Sequence, residues 1–124
     1  MNESSLSLVI PAYNESEGVA QTAAAVRTLL EYLTQKYAVE VIFVNDGSKD
    51  DTRERLEAEF KDDARVKVVS HTVNQGLGAA IRTGLKAATG DIVVTTDFDG
   101  TYPLNTVPQI LARLQVDGSD IVTA

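Results

Sequence analysis

The sequence has no cysteine, no tryptophan, one histidine and three prolines in 124 residues. Without cysteine there can be no disulfides and no thiolate metal sites, and His71 alone cannot form a histidine cluster. Any metal must therefore be held by oxygen. Basic residues are scarce: eleven Lys and Arg against eighteen Asp and Glu leave a formal charge of −7. A surface that follows a nucleic-acid backbone needs the opposite balance, so nucleic acid is excluded as a partner. No apolar run approaches the roughly 20 residues needed to cross a bilayer. The N-terminal "MNESSLSLVIPAYN" has neither a basic start nor a long apolar segment, so no signal peptide is expected and the expected compartment is the cytoplasm.

What the chain does have is alternation. "LSLVIP" (Leu6 to Pro11) reads as a buried strand ended by proline. From Glu17 to about Lys36, Val19, Ala23, Val26, Leu29, Leu30 and Leu33 fall at helical spacing. "VEVIFVND" (Val39 to Asp46) is a continuous β-branched run, the mark of a strand covered on both faces. "SKDD" (Ser48 to Asp51) has the form of a capping box and opens a helix to about Phe60. "RVKVVS" (Arg65 to Ser70) is a third strand. Leu77, Ala80, Ile81, Leu85 and Ala88 then line a helix closed by Thr89 and Gly90. "DIVVTT" (Asp91 to Thr96) is a fourth strand, Val107 to about Gln115 a fourth helix, and "DIVTA" (Asp120 to Ala124) begins a fifth strand. This order predicts a parallel sheet with helices on both faces. The chain ends inside the fifth strand pattern, as though more of the domain should follow.

In open α/β sheets, ligands bind beyond the carboxyl ends of the strands. The residues that packing does not explain fall there: "PAYNESE" (Pro11 to Glu17), "NDGS" (Asn45 to Ser48), "NQGLG" (Asn74 to Gly78) and "DFDGTYP" (Asp97 to Pro103). Asn14 or Ser16 can cap a helix or bind a ligand. Tyr13 can pack or hold a base. Asp46 and Gly47 form a turn dipeptide, but with Ser48 supplying the cap the Asp46 carboxylate is left free for a ligand. "NQGLGAAIRTG" lacks the spacing and position of a dinucleotide fingerprint. Its Gly76 and Gly78 suit a tight turn at a helix start, and Gly84 suits close helix–sheet packing. His71 reads as a surface or loop residue outside the site.

Asp97 and Asp99 are two carboxylates one residue apart, which repel unless a cation sits between them. "DFDGT" matches the opening motif of haloacid-dehalogenase-like phosphatases, in which the first aspartate attacks phosphorus. That family opens on this strand, however, whereas three β-α units precede it here. Its downstream lysine is also missing, since Thr101 to Ala124 contains none.

Taken together, "VIPAYNE", "VNDGS", "NQGLGAAIRTG" and "DFDG", in this order over nearly the whole chain, resemble the family-2 glycosyltransferases. The likeness is strongest to the branch of dolichol-phosphate mannosyltransferases and other polyprenyl-phosphate hexosyltransferases. The resemblance implies a doubly wound, Rossmann-like, mostly parallel α/β/α fold, the nucleotide-sugar-binding half of a GT-A domain, with residues 1–124 supplying donor binding and the acceptor-binding part absent. It implies strand order third, second, first, fourth, with Val9, Ile42, Val44, Val68, Val93 and Val94 in the core. It implies that Pro11, Ala12, Tyr13, Asn14 and Glu15 line a base and ribose pocket, that Asp46 and Gly47 contact the nucleotide, and that Asp97 and Asp99 hold Mg2+ or Mn2+. The implied reaction moves a hexose from a UDP- or GDP-linked sugar to an acceptor such as a polyprenyl or dolichyl phosphate at the cytoplasmic face of a membrane. The chain departs from the mannosyltransferase pattern at Thr101, where glutamine is common, and at Leu77, where lysine is common. A haloacid-dehalogenase-like phosphohydrolase and a non-catalytic nucleotide-binding module are the alternatives.

Overall fold

The computed structural model describes residues 4–96, 98 and 121–123. Five parallel strands form one sheet in the order β3-β2-β1-β4-β5. They are β1 (Ser4–Ala12), β2 (Tyr37–Asp46), β3 (Val66–His71), β4 (Ile92–Thr95) and β5 (Ile121–Thr123). The helices between them are α1 (Val19–Leu33), which follows a 3-10 turn at Ser16–Gly18, α2 (Thr52–Glu59) and α3 (Leu77–Ala87). The order and direction of the first four strands are as expected. The helix expected at Val107 to Gln115 lies outside the described residues.

The two faces of the sheet follow from residue alternation along β1 and β2. Leu6, Leu8 and Ile10 of β1 pack with Val39, Val41 and Phe43 of β2 against α1 and the end of α2. Val9, Ile42 and Val44 point the other way and pack with Ala80 of α3. Val9, Ile42, Val44 and Val94 are fully buried. Val68 on the edge strand β3 and Val93 on β4 are half-buried. Gly84 is required for this closeness: a Cβ there would sit 2.3 Å from Val9 Cγ1.

Three expected boundaries move, each for a physical reason. β1 runs through Pro11 to Ala12. The carbonyl of Val9 accepts from Thr96 on the β4 side, so the N–H missing at Pro11 faces the same side, past the last β1–β4 pair of Val9 with Thr95. A proline there removes no ladder bond. Ser48 does not cap α2. Its hydroxyl accepts from the Asn14 N–H at 2.9 Å, and Asp50 instead accepts from the Thr52 N–H at 3.0 Å. Neither Asn14 nor Ser16 caps a helix through its side chain.

At the amino edge of the sheet, Glu40 is held by Ser7 Oγ at 2.5 Å, Lys67 Nζ at 3.1 Å and the N–H and hydroxyl of Thr89 at 2.6 and 2.9 Å. Burial opposes its ionisation, but these bonds outweigh it and bring its pKa down to about 2. The carboxylate thus joins three neighbouring strands to the turn between α3 and β4.

Candidate nucleotide site at the carboxyl edge of the sheet

From β1 the chain winds one way to β2 and β3 and the other way to β4, so the order reverses between β1 and β4. A crevice is expected beyond the strand ends at such a switch point. A cleft of about 380 Å3 lies there, lined by Pro11, Ala12, Tyr13, Glu15, Asp46, Asn74, Gly76, Leu77, Ala80 and Phe98. The structure therefore brings together five of the expected site residues: Pro11, Ala12, Tyr13, Glu15 and Asp46. Asn74, Gly76 and Leu77 of the expected third loop and Phe98 of the fourth also line it, and Ala80 of α3 is the one described lining residue outside the four expected loops.

Asn14 and Gly47 do other work. Asn14 has φ 53 and bridges two loops: its N–H donates to Ser48 Oγ and its Oδ1 accepts from the Lys49 N–H at 2.8 Å. The Glu15 N–H donates to Thr52 Oγ1 and the Ser16 N–H to Asp50 Oδ2, which completes the seam between the β1 and β2 loops. Gly47 has φ +67, and a Cβ on it would lie 2.2 Å from backbone atoms of Val73 and Asn74. It is a glycine because the β3–α3 loop passes directly over it.

The Asp46 carboxylate is not free. Oδ1 accepts from His71 Nδ1 at 2.7 Å and the Gln75 N–H at 2.8 Å, while Oδ2 accepts from the Gly76 N–H at 2.9 Å and Asn74 Nδ2 at 3.0 Å. These contacts occupy the acceptor positions a carboxylate offers. Burial opposes its ionisation, yet the bonds from His71, Gln75 and Gly76 keep the pKa below the usual carboxylate range. The sequence hides this because the donors lie some thirty residues downstream in a loop with no periodic signal.

His71 is likewise not a surface residue. It ends β3 directly beside Asp46 in the strand register, and its side chain is only 9% exposed. An ionised carboxylate only accepts, so Nδ1 carries a proton. Nε2 lies 2.7 Å from Thr83 Oγ1 on α3, a hydroxyl able to give or take that bond. The usable sequence signal is that Asp46 ends the second apolar run and His71 directly follows the third.

Asp97 and Asp99 lie outside the described residues. Between them, Phe98 is 5% exposed, packs edge-on to Phe43 at 6.1 Å, and accepts at its carbonyl from Thr22 Oγ1 at 3.2 Å. An aromatic residue inside an acidic motif was the sequence signal for this anchor. Among the described residues no group of three or more His, Asp or Glu is placed to hold a metal.

The sequence matches Glycosyl transferase family 2 over residues 7–124. It is 37% identical over 119 residues to the prophage bactoprenol glucosyl transferase homolog of Escherichia coli strain K12, covering 96% of this chain and 38% of that protein. It is 33% identical over 116 residues to the dolichol-phosphate mannosyltransferase of Pyrococcus furiosus, covering 94% of this chain and 31% of that protein. The fold is similar to that of the mannosyltransferase PcManGT from Pyrobaculum calidifontis in complex with GDP-Man and Mn2+. The TM-score is 0.76 at 26% identity, over 92% of this chain and 33% of that one. The chain thus spans less than two fifths of the length of each. The fold, the switch-point cleft and a sequence match along nearly its whole length together show that this chain belongs to glycosyl transferase family 2.

Proposed function

We propose that the chain is the donor-binding part of a metal-dependent glycosyltransferase, residues 1–124 holding a GDP- or UDP-linked hexose for transfer to a polyprenyl phosphate. The observation that carries this reading is the cleft at the switch point, where Pro11, Ala12, Tyr13 and Glu15 face Asn74, Gly76 and Leu77 across the end of the sheet. In this reading the first set lines the base and ribose pocket. Asp46 shapes the pocket through the loop it holds, and Asp97 and Asp99 bind Mg2+ or Mn2+. The cation supplies positive charge for the departing nucleoside diphosphate. The acceptor class is supported by the E. coli relative, named for bactoprenol. Among the described residues no helix is long and apolar enough to cross a membrane. A polyprenyl phosphate acceptor would bring the protein to the cytoplasmic membrane face as a peripheral partner.

Titration calorimetry of GDP and UDP, with Mn2+ and then with chelator, tests the site. Metal and nucleotide raise each other's affinity by the same factor, and a coupling of ~1 to 3 kcal/mol corresponds to roughly 5- to 150-fold tighter binding. Asp99→Asn is expected to remove most of that coupling. Absence of binding by both nucleotides, or an unchanged metal effect in Asp99→Asn, would overturn the reading. The chain should not hydrolyse an aryl phosphate with Mg2+. Asp97-dependent turnover of that substrate would instead identify a phosphohydrolase.

A further inference from the structure

We infer that His71 is a positioning residue for the nucleotide cleft: it braces Asp46 on one side and α3 on the other, and so holds the Asn74–Gly76 loop in place as a cleft wall. The proposal rests on the reading of that cleft as a nucleotide site.

The N–H groups of Gln75 and Gly76 and the side-chain amide of Asn74 all end on Asp46, the amide reaching its carbonyl as well as its carboxylate. One residue therefore carries the loop's polar anchoring. A carboxylate can rotate about its own bond, and its plane is set by what surrounds it. His71 Nδ1, 2.7 Å from Oδ1, is the shortest of the four contacts and comes from a paired strand rather than from the loop itself. The opposite ring nitrogen reaches Thr83, within the helix that begins one residue after Gly76. The ring thus connects to the loop through Asp46 and to the helix that follows it through Thr83. Gly76, at φ +99, and Leu77 and Ala80 of that helix line the cleft. A shift in either anchor therefore moves the wall.

The test uses two independent readouts on the chain and its His71→Leu and His71→Asn variants. Asparagine places an amide nitrogen as far along the side chain as Nδ1, so it keeps a donor for Asp46. Amide hydrogen exchange at Gln75 and Gly76, followed by NMR, needs no nucleotide. In His71→Leu it should accelerate by about tenfold or more relative to core amides such as Val9 and Ile42, whereas His71→Asn should stay near wild type. Affinity for GDP and UDP with Mn2+ should fall by about tenfold in His71→Leu and recover in His71→Asn, the pattern of a positioned wall rather than of a general loss of stability. Unchanged exchange at Gln75 and Gly76 in His71→Leu would overturn the proposal, as would accelerated exchange with unaltered affinity. If His71→Leu does not fold, Thr83→Val removes the outer anchor alone, and the same outcomes decide. Failure of the nucleotide reading itself shows separately, as a wild-type chain that binds neither nucleotide.

Discussion

At the scale of single residues, and among the described ones, Asp46 is the most heavily bonded acid at the carboxyl edge of the sheet. Its two oxygens take four protein donors, and its backbone carbonyl takes a further bond from Asn74. Asp46→Asn replaces one acceptor oxygen with an NH2 group, so at least one of those donors faces another donor. The expected cost is about 1 to 3 kcal/mol, the penalty for a buried polar group left without its partner, measured by urea unfolding. Nucleotide affinity should fall in Asp46→Ala by the same factor with metal and with chelator if, as proposed, the loop it holds walls the nucleotide pocket and Asp46 itself does not ligate the cation. A loss seen only with metal would place Asp46 among the cation's ligands instead. Gly47 belongs to the same small assembly, since the loop Asp46 holds leaves no room for a side chain beneath it.

At the scale of elements, helix–sheet contact decides what a substitution does. Alanine at Gly84 gains about 1 kcal/mol in helix propensity over glycine. It also drives a methyl to within 2.3 Å of Val9, on a central strand with no room to recede. Overpacking of this kind typically costs about 1 to 3 kcal/mol, so the net effect of Gly84→Ala is expected to be destabilising. Adding Val9→Ala should recover part of the loss, because the two sites share one space. Additive costs in the double variant would show that the helix simply shifts. Strands and helices were legible because each carries its own signal: β-branched runs at Val39 to Val44, and apolar residues at helical spacing from Val19 to Leu33. The seams were not. Nothing local in "NESE" or "SKDD" shows that Asn14 bonds Ser48 and Lys49, or that Asp50 reaches Ser16, because these bonds join loops separated by an entire helix. For the same reason the sequence indicated which loops form the cleft, yet left Asp46 open to a ligand and His71 at the surface.

At the scale of the whole molecule, the acids tie folding to pH. Glu40, Asp46, Asp50 and Asp63 all ionise more readily in the folded chain than their ordinary values allow. A carboxylate whose pKa is depressed by folding adds stability that is present above its unfolded value and lost as pH falls through the folded one. For Glu40 the window runs from 4.5 down to about 2. With its side chain 15% exposed, a shift of that size corresponds to stabilisation on the order of 3 kcal/mol at neutral pH. Glu40 sits at the amino edge of the sheet, remote from the cleft, so it offers a stability probe independent of ligand binding. Glu40→Gln should lower the urea midpoint at pH 7, and the gap from wild type should narrow steadily below pH 4.5 as the native carboxylate takes up its proton. Nucleotide affinity at pH 7 should be unchanged wherever the variant remains folded. A gap that stays constant down to pH 2 would mean that the loss came from packing, and that the charge on Glu40 contributes nothing to holding the strands and the α3–β4 turn together.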